Sequence, residues 1–463
     1  MNFLPNSRHT LDVENIIHPY TNLHKHKTKG PMIITKGKGV YVYDDNGKEY
    51  IEGMAGLWCT ALGFGEKELI DAATEQLNVL PYYHQFTHKS TDPSIQLSEK
   101  LKNIAPFKAS KVFFASSGSE ANDTQVKLMW YINNAKGLHK KKKILSHMKG
   151  YHGVTVAAAS MTGLPANHLD FDLPIKNMGH ISTPHYYRNS IDGETEQEFS
   201  SRLARELEER IIKEGPETVA AFIAEPVMGA GGVIIPPKDY YEKIQSVLNK
   251  YEIMFIADEV ICGFGRTGNM WGSQTMNINP HSLSCAKQLS SAYLPISAVM
   301  VNDEISELLF DQSKKIGTFG HGYTYSAHPV CAAVALKNLE LFEERSILEN
   351  INKVSPYFQK RLQKLKGHEL IGEARCIGLI GALEIVSDKK SKKPFDLKQL
   401  VGFQCMEFAN KHGLIIRAIG DNIAFCPPLI INETQIGDIF DKIELALDDT
   451  AHWINKNKLR EQL

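Results

Sequence analysis

The chain has 463 residues, 43% of them hydrophobic and 23% charged, so it is an ordinary globular sequence too long for one compact core. Lysine plus arginine number 52 against 53 acidic residues, which leaves no overall field to draw in nucleic acid or an anionic membrane. Seven cysteines, an odd count without a Cys-x-x-Cys, argue against a disulfide framework or a zinc ribbon and for a reducing cytoplasm.

The N-terminus lacks the apolar core of a secretory signal. Asp12 and Glu14 argue against an organellar presequence, so the expected compartment is the cytoplasm. No apolar stretch is long enough to span a bilayer. The basic block at 140–143 has no interleaved aromatics and reads as a solvated helix end.

Residues 1–65 start polar and then suggest strands at 32–35, 39–43 and 49–51, with a tight turn at Asp44-Asp45-Asn46-Gly47. From residue 66 to 328, helical stretches alternate with short apolar runs at 111–115, 143–146, 220–224, 254–257, 283–286 and 296–301. That alternation predicts an α/β domain with a largely parallel sheet covered on both faces. Phe199, Leu203, Leu207 and Ile211 recur every four residues and mark one covering helix, ended by Gly215-Pro216.

A smaller α+β region is expected over 329–463, sharing its domain with the N-terminal segment. It begins with helices at 329–344 and around 354–365. Strands follow at 378–386, 414–417 and 423–425, the last two joined by Gly420-Asp421-Asn422. Asn432, with Gln435 three residues on, caps a final helix.

Four segments follow or end predicted strands, where ligands of open α/β sheets gather. Ser117-Gly118-Ser119 opens a helix after the run 111–115. Small residues at a helix N-terminus suit a phosphate, and an ordinary serine cap is the alternative. Tyr151 follows the run 143–146 and could stack on a flat ring, or simply pack as a loop tyrosine. Asp258-Glu259 ends an apolar strand, where a buried acid needs a cationic partner such as a protonated pyridine nitrogen. A surface acid pair is the alternative, and the His or Cys spacing of a metal site is lacking, so no metal is expected.

Lys287 follows the run 283–286. Burial there would leave more neutral amine for imine formation, and a lysine snorkelling to solvent is the alternative. A phosphate cradle, a stacking face, an acid and an amine together complement one cofactor, pyridoxal phosphate. A Gly-x-Gly-x-x-Gly at Gly263, Gly265 and Gly268 is discounted as a dinucleotide site, because it neither adjoins its strand nor opens a helix.

These motifs, together with Glu225-Pro226-Val227 and the segment 323–329, resemble the class III, or omega, aminotransferases of fold type I. The resemblance runs from about residue 12 to 454 and is greatest to the pyruvate-dependent branch acting on 4-aminobutyrate, putrescine and beta-alanine. It implies a seven-stranded, mostly parallel sheet. It also implies that Lys287 carries the cofactor and shuttles protons, Asp258 pairs with the ring nitrogen and Tyr151 stacks on the ring. Gly118 and Ser119 would hold the phosphate beside Ser117. Thr324 would reach the phosphate from a neighbouring subunit, giving a homodimer, or a dimer of dimers, with shared sites.

Glu225 would lie behind the cofactor. Trp58, Tyr83, Phe86, Tyr151 and Ala230 would line the substrate pocket. Arg417 would bind the carboxylate of a 2-oxo acid acceptor and swing aside for an amine donor. His281, Gln288 and Ser297 depart from the usual pattern, and Gln288 could alter the space beside Lys287. The competing functions are another pyridoxal phosphate enzyme of this fold (a decarboxylase, aminomutase or lyase) and a non-catalytic protein that keeps the fold.

Overall fold

The computed structural model describes residue 4 and residues 6–462. Its fifteen strands are β1 (Ile34–Lys38), β2 (Tyr41–Asp44), β3 (Glu49–Glu52), β4 (Lys111–Ala115), β5 (Lys143–His147), β6 (Met178–Ile181), β7 (Val219–Ala224), β8 (Met254–Asp258), β9 (Ser282–Cys285), β10 (Ser297–Val301), β11 (Ile371–Ile377), β12 (Ile380–Ile385), β13 (Leu414–Ile415), β14 (Arg417–Ile419) and β15 (Asn422–Phe425). Seven of them form one sheet in the order β4-β10-β9-β8-β7-β5-β6. Only β10 runs antiparallel to its neighbours.

Strand β7 explains why these runs read as continuously apolar. All six of its residues are buried. Phe222 and Ala224 pack on one face with Phe199 and Tyr240, whereas Ile223 packs on the other with Val126 and Met129. A strand covered on both faces has no polar side to alternate with. One covering helix, Glu196–Glu214, starts at the Thr195–Glu198 capping box, stops at Gly215 and buries the predicted stripe.

The edge strand β6 has no counterpart among the predicted runs. Its four residues, Met-Gly-His-Ile, carry too few apolar side chains to stand out. The run predicted over 283–286 stops at Cys285, because the backbone leaves the strand at Ala286 and turns left-handed at Lys287, φ 49°. The strand predicted over 378–386 is the second half of a hairpin. Gly378, at φ 53°, makes the turn between β11 and β12 and lies too close to Arg266 and Thr267 for a side chain. The helix predicted from 354 starts earlier, at Ile347.

The remaining strands form two four-stranded sheets. Strand β13 pairs in parallel with β3, so the N-terminal strands share a sheet with the C-terminal region. The strand expected over 414–417 breaks at Ile416, so the hairpin across Gly420-Asp421 joins Arg417–Ile419 to β15, and Asn432 and Gln435 cap the last helix, Glu433–Lys456. No helix among the described residues is long and apolar enough to cross a membrane.

Candidate active site

The carboxyl ends of β4, β5, β7, β8 and β9 surround one cavity. Its wall includes Gly118, Ser119, Tyr151, Glu225, Asp258 and Lys287, together with Asn122 and His152. Six of the predicted residues therefore meet, although they come from five separate segments.

The helix Gly118–Ala135 supplies the anion end. Ser117 is its N-cap and accepts from the Glu120 N–H at 3.2 Å, so its hydroxyl serves the helix. The N–H groups of Gly118 and Ser119 have no acceptor among the described residues and remain free for a phosphate. The Ser119 hydroxyl oxygen takes the Val154 N–H at 3.1 Å. Gly153 must be glycine here, since a Cβ would stand 2.5 Å from Ser119 Oγ at φ 133°. Ser297, one of the departures, donates to the Ser117 carbonyl at 2.7 Å and ties this loop to β10.

Asp258 ends β8 and is only 2% exposed. Its Oδ2 accepts from Asn122 Nδ2 and His152 Nδ1, both at 2.8 Å, and its Oδ1 accepts from the Val260 N–H at 3.2 Å. Three donors from three segments fix the carboxylate. With its proton on Nδ1, His152 leaves Nε2 buried and unpartnered, and Asn122 Oδ1 is in the same position.

The other acid of the pair, Glu259, faces elsewhere. It is fully buried and accepts from the Gly272 and Ser273 N–H groups at 2.9 and 2.6 Å. Burial raises its pKa to about 7. The short helix Gly272–Thr275 that it anchors follows the glycine-rich turn, where no long helix opens.

Glu225 follows β7. It accepts from the Tyr151 N–H at 2.8 Å and the Gly229 N–H at 2.9 Å, and burial raises its pKa to about 7. It thus fixes the backbone that presents the Tyr151 ring. Lys287 is half-buried at the start of the turn Lys287–Ser290. Gln288 points away from the cavity, donating to the Ile261 and Gly263 carbonyls at 3.0 and 2.8 Å and accepting from Arg266. It anchors the lysine's turn and takes no space beside its amine.

Apart from Tyr151, the predicted substrate residues lie outside this wall, as does Thr324. Trp58 is 1% exposed, in a cluster with Val227 and Ile261, so it stands behind the wall. Tyr83 and Phe86 are 42% and 46% exposed. Thr324 is exposed and holds the Tyr82 hydroxyl through its carbonyl at 2.8 Å. Ala230 is half-buried on the loop after Glu225. Arg417 is half-buried on β14, where burial lowers its pKa, and Tyr151 and Tyr20 lie near it.

The cavity suits pyridoxal phosphate. Free N–H groups meet a phosphate, a fixed carboxylate meets a ring nitrogen, and an amine meets an aldehyde. Residues 23–447 match the family model of the class-III aminotransferases. The chain belongs to that family.

The class-III aminotransferases use pyridoxal phosphate. This aminotransferase is 50% identical to gamma aminobutyrate transaminase 3, chloroplastic, of Solanum lycopersicum over 434 residues, covering 94% of this chain and 84% of the relative. It is 49% identical to gamma-aminobutyrate transaminase 1, mitochondrial, of Oryza sativa subsp. japonica, covering 93% and 84%. Its structure matches the omega transaminase of Pseudomonas jessenii in complex with PMP with a TM-score of 0.96 at 54% identity, covering 97% of this chain and 99% of that one.

Three residues of the aminotransferase went without a role in the sequence. Asn122 and His152 orient Asp258, and their types and positions carry no signal until the fold brings three segments together. Arg375 on β11 is the third. It donates to the Gly232 and Val233 carbonyls, to Glu373 and Glu384 and to Asn422, joining the Ala230 loop to the hairpin that bears Arg417.

Proposed function

We propose that this aminotransferase moves the terminal amino group of an amine or omega-amino acid, of the 4-aminobutyrate, putrescine or beta-alanine type, to pyruvate, giving an aldehyde and alanine. Arg417 carries this reading. It is a half-buried guanidinium beside Tyr151, and no carboxylate pairs with it among the described residues. A guanidinium kept from water and left unpaired suits an incoming carboxylate, which it can meet with two parallel hydrogen bonds. The relatives named for gamma-aminobutyrate support the donor class. The W58M/F86L/R417L form of a related omega transaminase was engineered for bulky amines, and this chain carries Trp58, Phe86 and Arg417 at the same numbers.

When bound, pyridoxal phosphate supplies an aldehyde to receive the amino group and a ring that withdraws electrons. Asp258, fixed by Asn122 and His152, holds a proton on the ring nitrogen. Gly118 and Ser119 bind the phosphate through backbone N–H groups. Lys287 Nζ takes the proton from the carbon that bears the amino group and returns it on the other side of the transfer. Tyr151, positioned by Glu225, covers one ring face and excludes water. Arg417 orients the 2-oxo acid in the second half-reaction.

The same reading makes the enzyme a homodimer with shared sites. Phe86, Val154 and Tyr325 expose large apolar side chains, which a second copy would cover.

Initial rates with 4-aminobutyrate, putrescine and beta-alanine, each against pyruvate and 2-oxoglutarate, test the proposal. The expected outcome is parallel double-reciprocal lines and a preference for pyruvate of about tenfold or more, equivalent to ~1.4 kcal/mol. Intersecting lines, or a preference for 2-oxoglutarate, would overturn it.

A further inference from the structure

The N-terminal arm poses a physical problem. Its two helices, Arg8–Asn15 and Leu23–Lys29, have eight and seven residues and bury no side chain fully. Helices shorter than ~12 residues are marginal in water without tertiary packing. Between them Tyr20, at φ 50°, reaches the active site. Its ring meets the Tyr151 ring edge-on with centroids 6.5 Å apart, and its hydroxyl oxygen accepts from Asn167 Nδ2 at 2.6 Å.

A polar cluster closes the arm. His18 Nε2 and His26 Nε2 both approach Asp12 Oδ1, at 2.8 and 2.9 Å, and the two imidazole centroids lie 4.1 Å apart. The three ligand atoms lie within 4.8 Å of one another. One comes from the first helix, one from the turn after it and one from the second helix. The side chains are 10–27% exposed, so solvent and ions can reach them.

We propose that Asp12, His18 and His26 bind a divalent transition cation, with Zn2+ the best fit to the donor set, and that the ion locks the segment carrying Tyr20 against the active site. Imidazole nitrogen and carboxylate oxygen are the ligands Zn2+ takes, and three protein ligands leave a fourth position for water. Tetrahedral bonds of ~2.0–2.1 Å place ligand atoms about 3.3 Å apart, so each imidazole nitrogen need move only a few tenths of an ångström from Asp12 Oδ1 to admit the ion. The bound ion replaces the two imidazole–carboxylate hydrogen bonds with coordination bonds that span residues 12–26.

The other cluster of this kind among the described residues shows the contrast. His185, Glu373 and Glu384 also converge, but Arg375 and Arg188 already supply the positive charge there.

The test uses the holoenzyme after chelator treatment. Titration with Zn2+ should show one equivalent bound per chain with micromolar or tighter affinity. Co2+ should give the visible band of a low-coordinate site. Asp12→Asn, His18→Gln and His26→Gln should each weaken binding at least tenfold, whereas His185→Gln should leave it unchanged. Zn2+ should slow tryptic cleavage within residues 8–29 at least fivefold in the unaltered protein and not in His26→Gln. Weak binding at several sites that the three substitutions leave alone overturns the site. Stoichiometric binding that leaves the cleavage rate unchanged overturns the locking role. Neither result depends on which amine or 2-oxo acid the enzyme uses.

Discussion

The floor of the active site and its rim are built differently. On the floor, Asp258 and Glu225 each accept at least two hydrogen bonds from groups within the chain, and each is buried. The rim, as the family resemblance assigns it, differs: Tyr83, Phe86 and Thr324 are exposed, and Arg417 has no acid beside it among the described residues. The floor is complete in one chain and therefore preorganised, as electrostatic catalysis requires. The rim is finished by substrate and, on the proposed reading, by a second copy. Chemistry therefore belongs to the floor and specificity to the rim, and substitutions should separate along that line.

The largest effect is expected at Lys287. Lys287→Ala removes the amine and the proton carrier together, and kcat should fall by about 10³-fold or more with any donor. Asp258→Asn comes next. It turns one of the two accepting oxygens into a donor and removes the charge opposite the ring nitrogen, and kcat should fall by about 10²-fold for every substrate. A substrate-selective loss from either variant would break the division between floor and rim.

Arg417→Leu tests the rim. The KM for pyruvate should rise about 10- to 100-fold, the equivalent of ~1.5–3 kcal/mol for charged hydrogen bonds. The rate of the half-reaction with an amine that lacks a carboxylate should hardly change. Equal losses in both half-reactions would show that Arg417 belongs to the floor.

The smallest effect concerns stability. Glu52, on β3, is almost fully buried, accepts from the Met54 N–H at 2.8 Å and has its pKa raised by burial to about 8. Unfolded, the group releases its proton near 4.5. Between those values the folded state binds the extra proton, so this contribution to stability is present at low pH and is lost as pH rises toward 8. Glu52→Gln should therefore melt progressively higher than the unaltered protein as pH rises from 5 to 9. A gap of constant size across that range would count against the assignment.

The floor was legible in the sequence and the rim was not, for a physical reason. Strands buried on both faces are continuous apolar runs, so β5, β7, β8, β9 and β10 stand out, with the apolar edge strand β4 beside them, and the residues at their carboxyl ends follow. Asp258 and Lys287 are marked by being charged where an apolar strand stops. Their supports are not marked. Asn122 lies inside a helix, and His152 follows an aromatic in a loop. Only the parallel crossovers bring both to Asp258.

Trp58, Tyr83, Phe86, Thr324 and Arg417 carried roles through the family resemblance alone. Local pattern gives an exposed tyrosine or a strand-end arginine no chemistry. The Asp12–His18–His26 cluster went unseen for a similar reason, because its ligands sit on two short helices that have no apolar stripe to announce them.

Amino transfer at Lys287 is tested most directly by mixing the holoenzyme with an amine donor and no 2-oxo acid. The account predicts one equivalent of aldehyde per active site, then a stop, with turnover resuming when pyruvate is added. Continued product formation without a 2-oxo acid, as a decarboxylase or lyase would give, would contradict it.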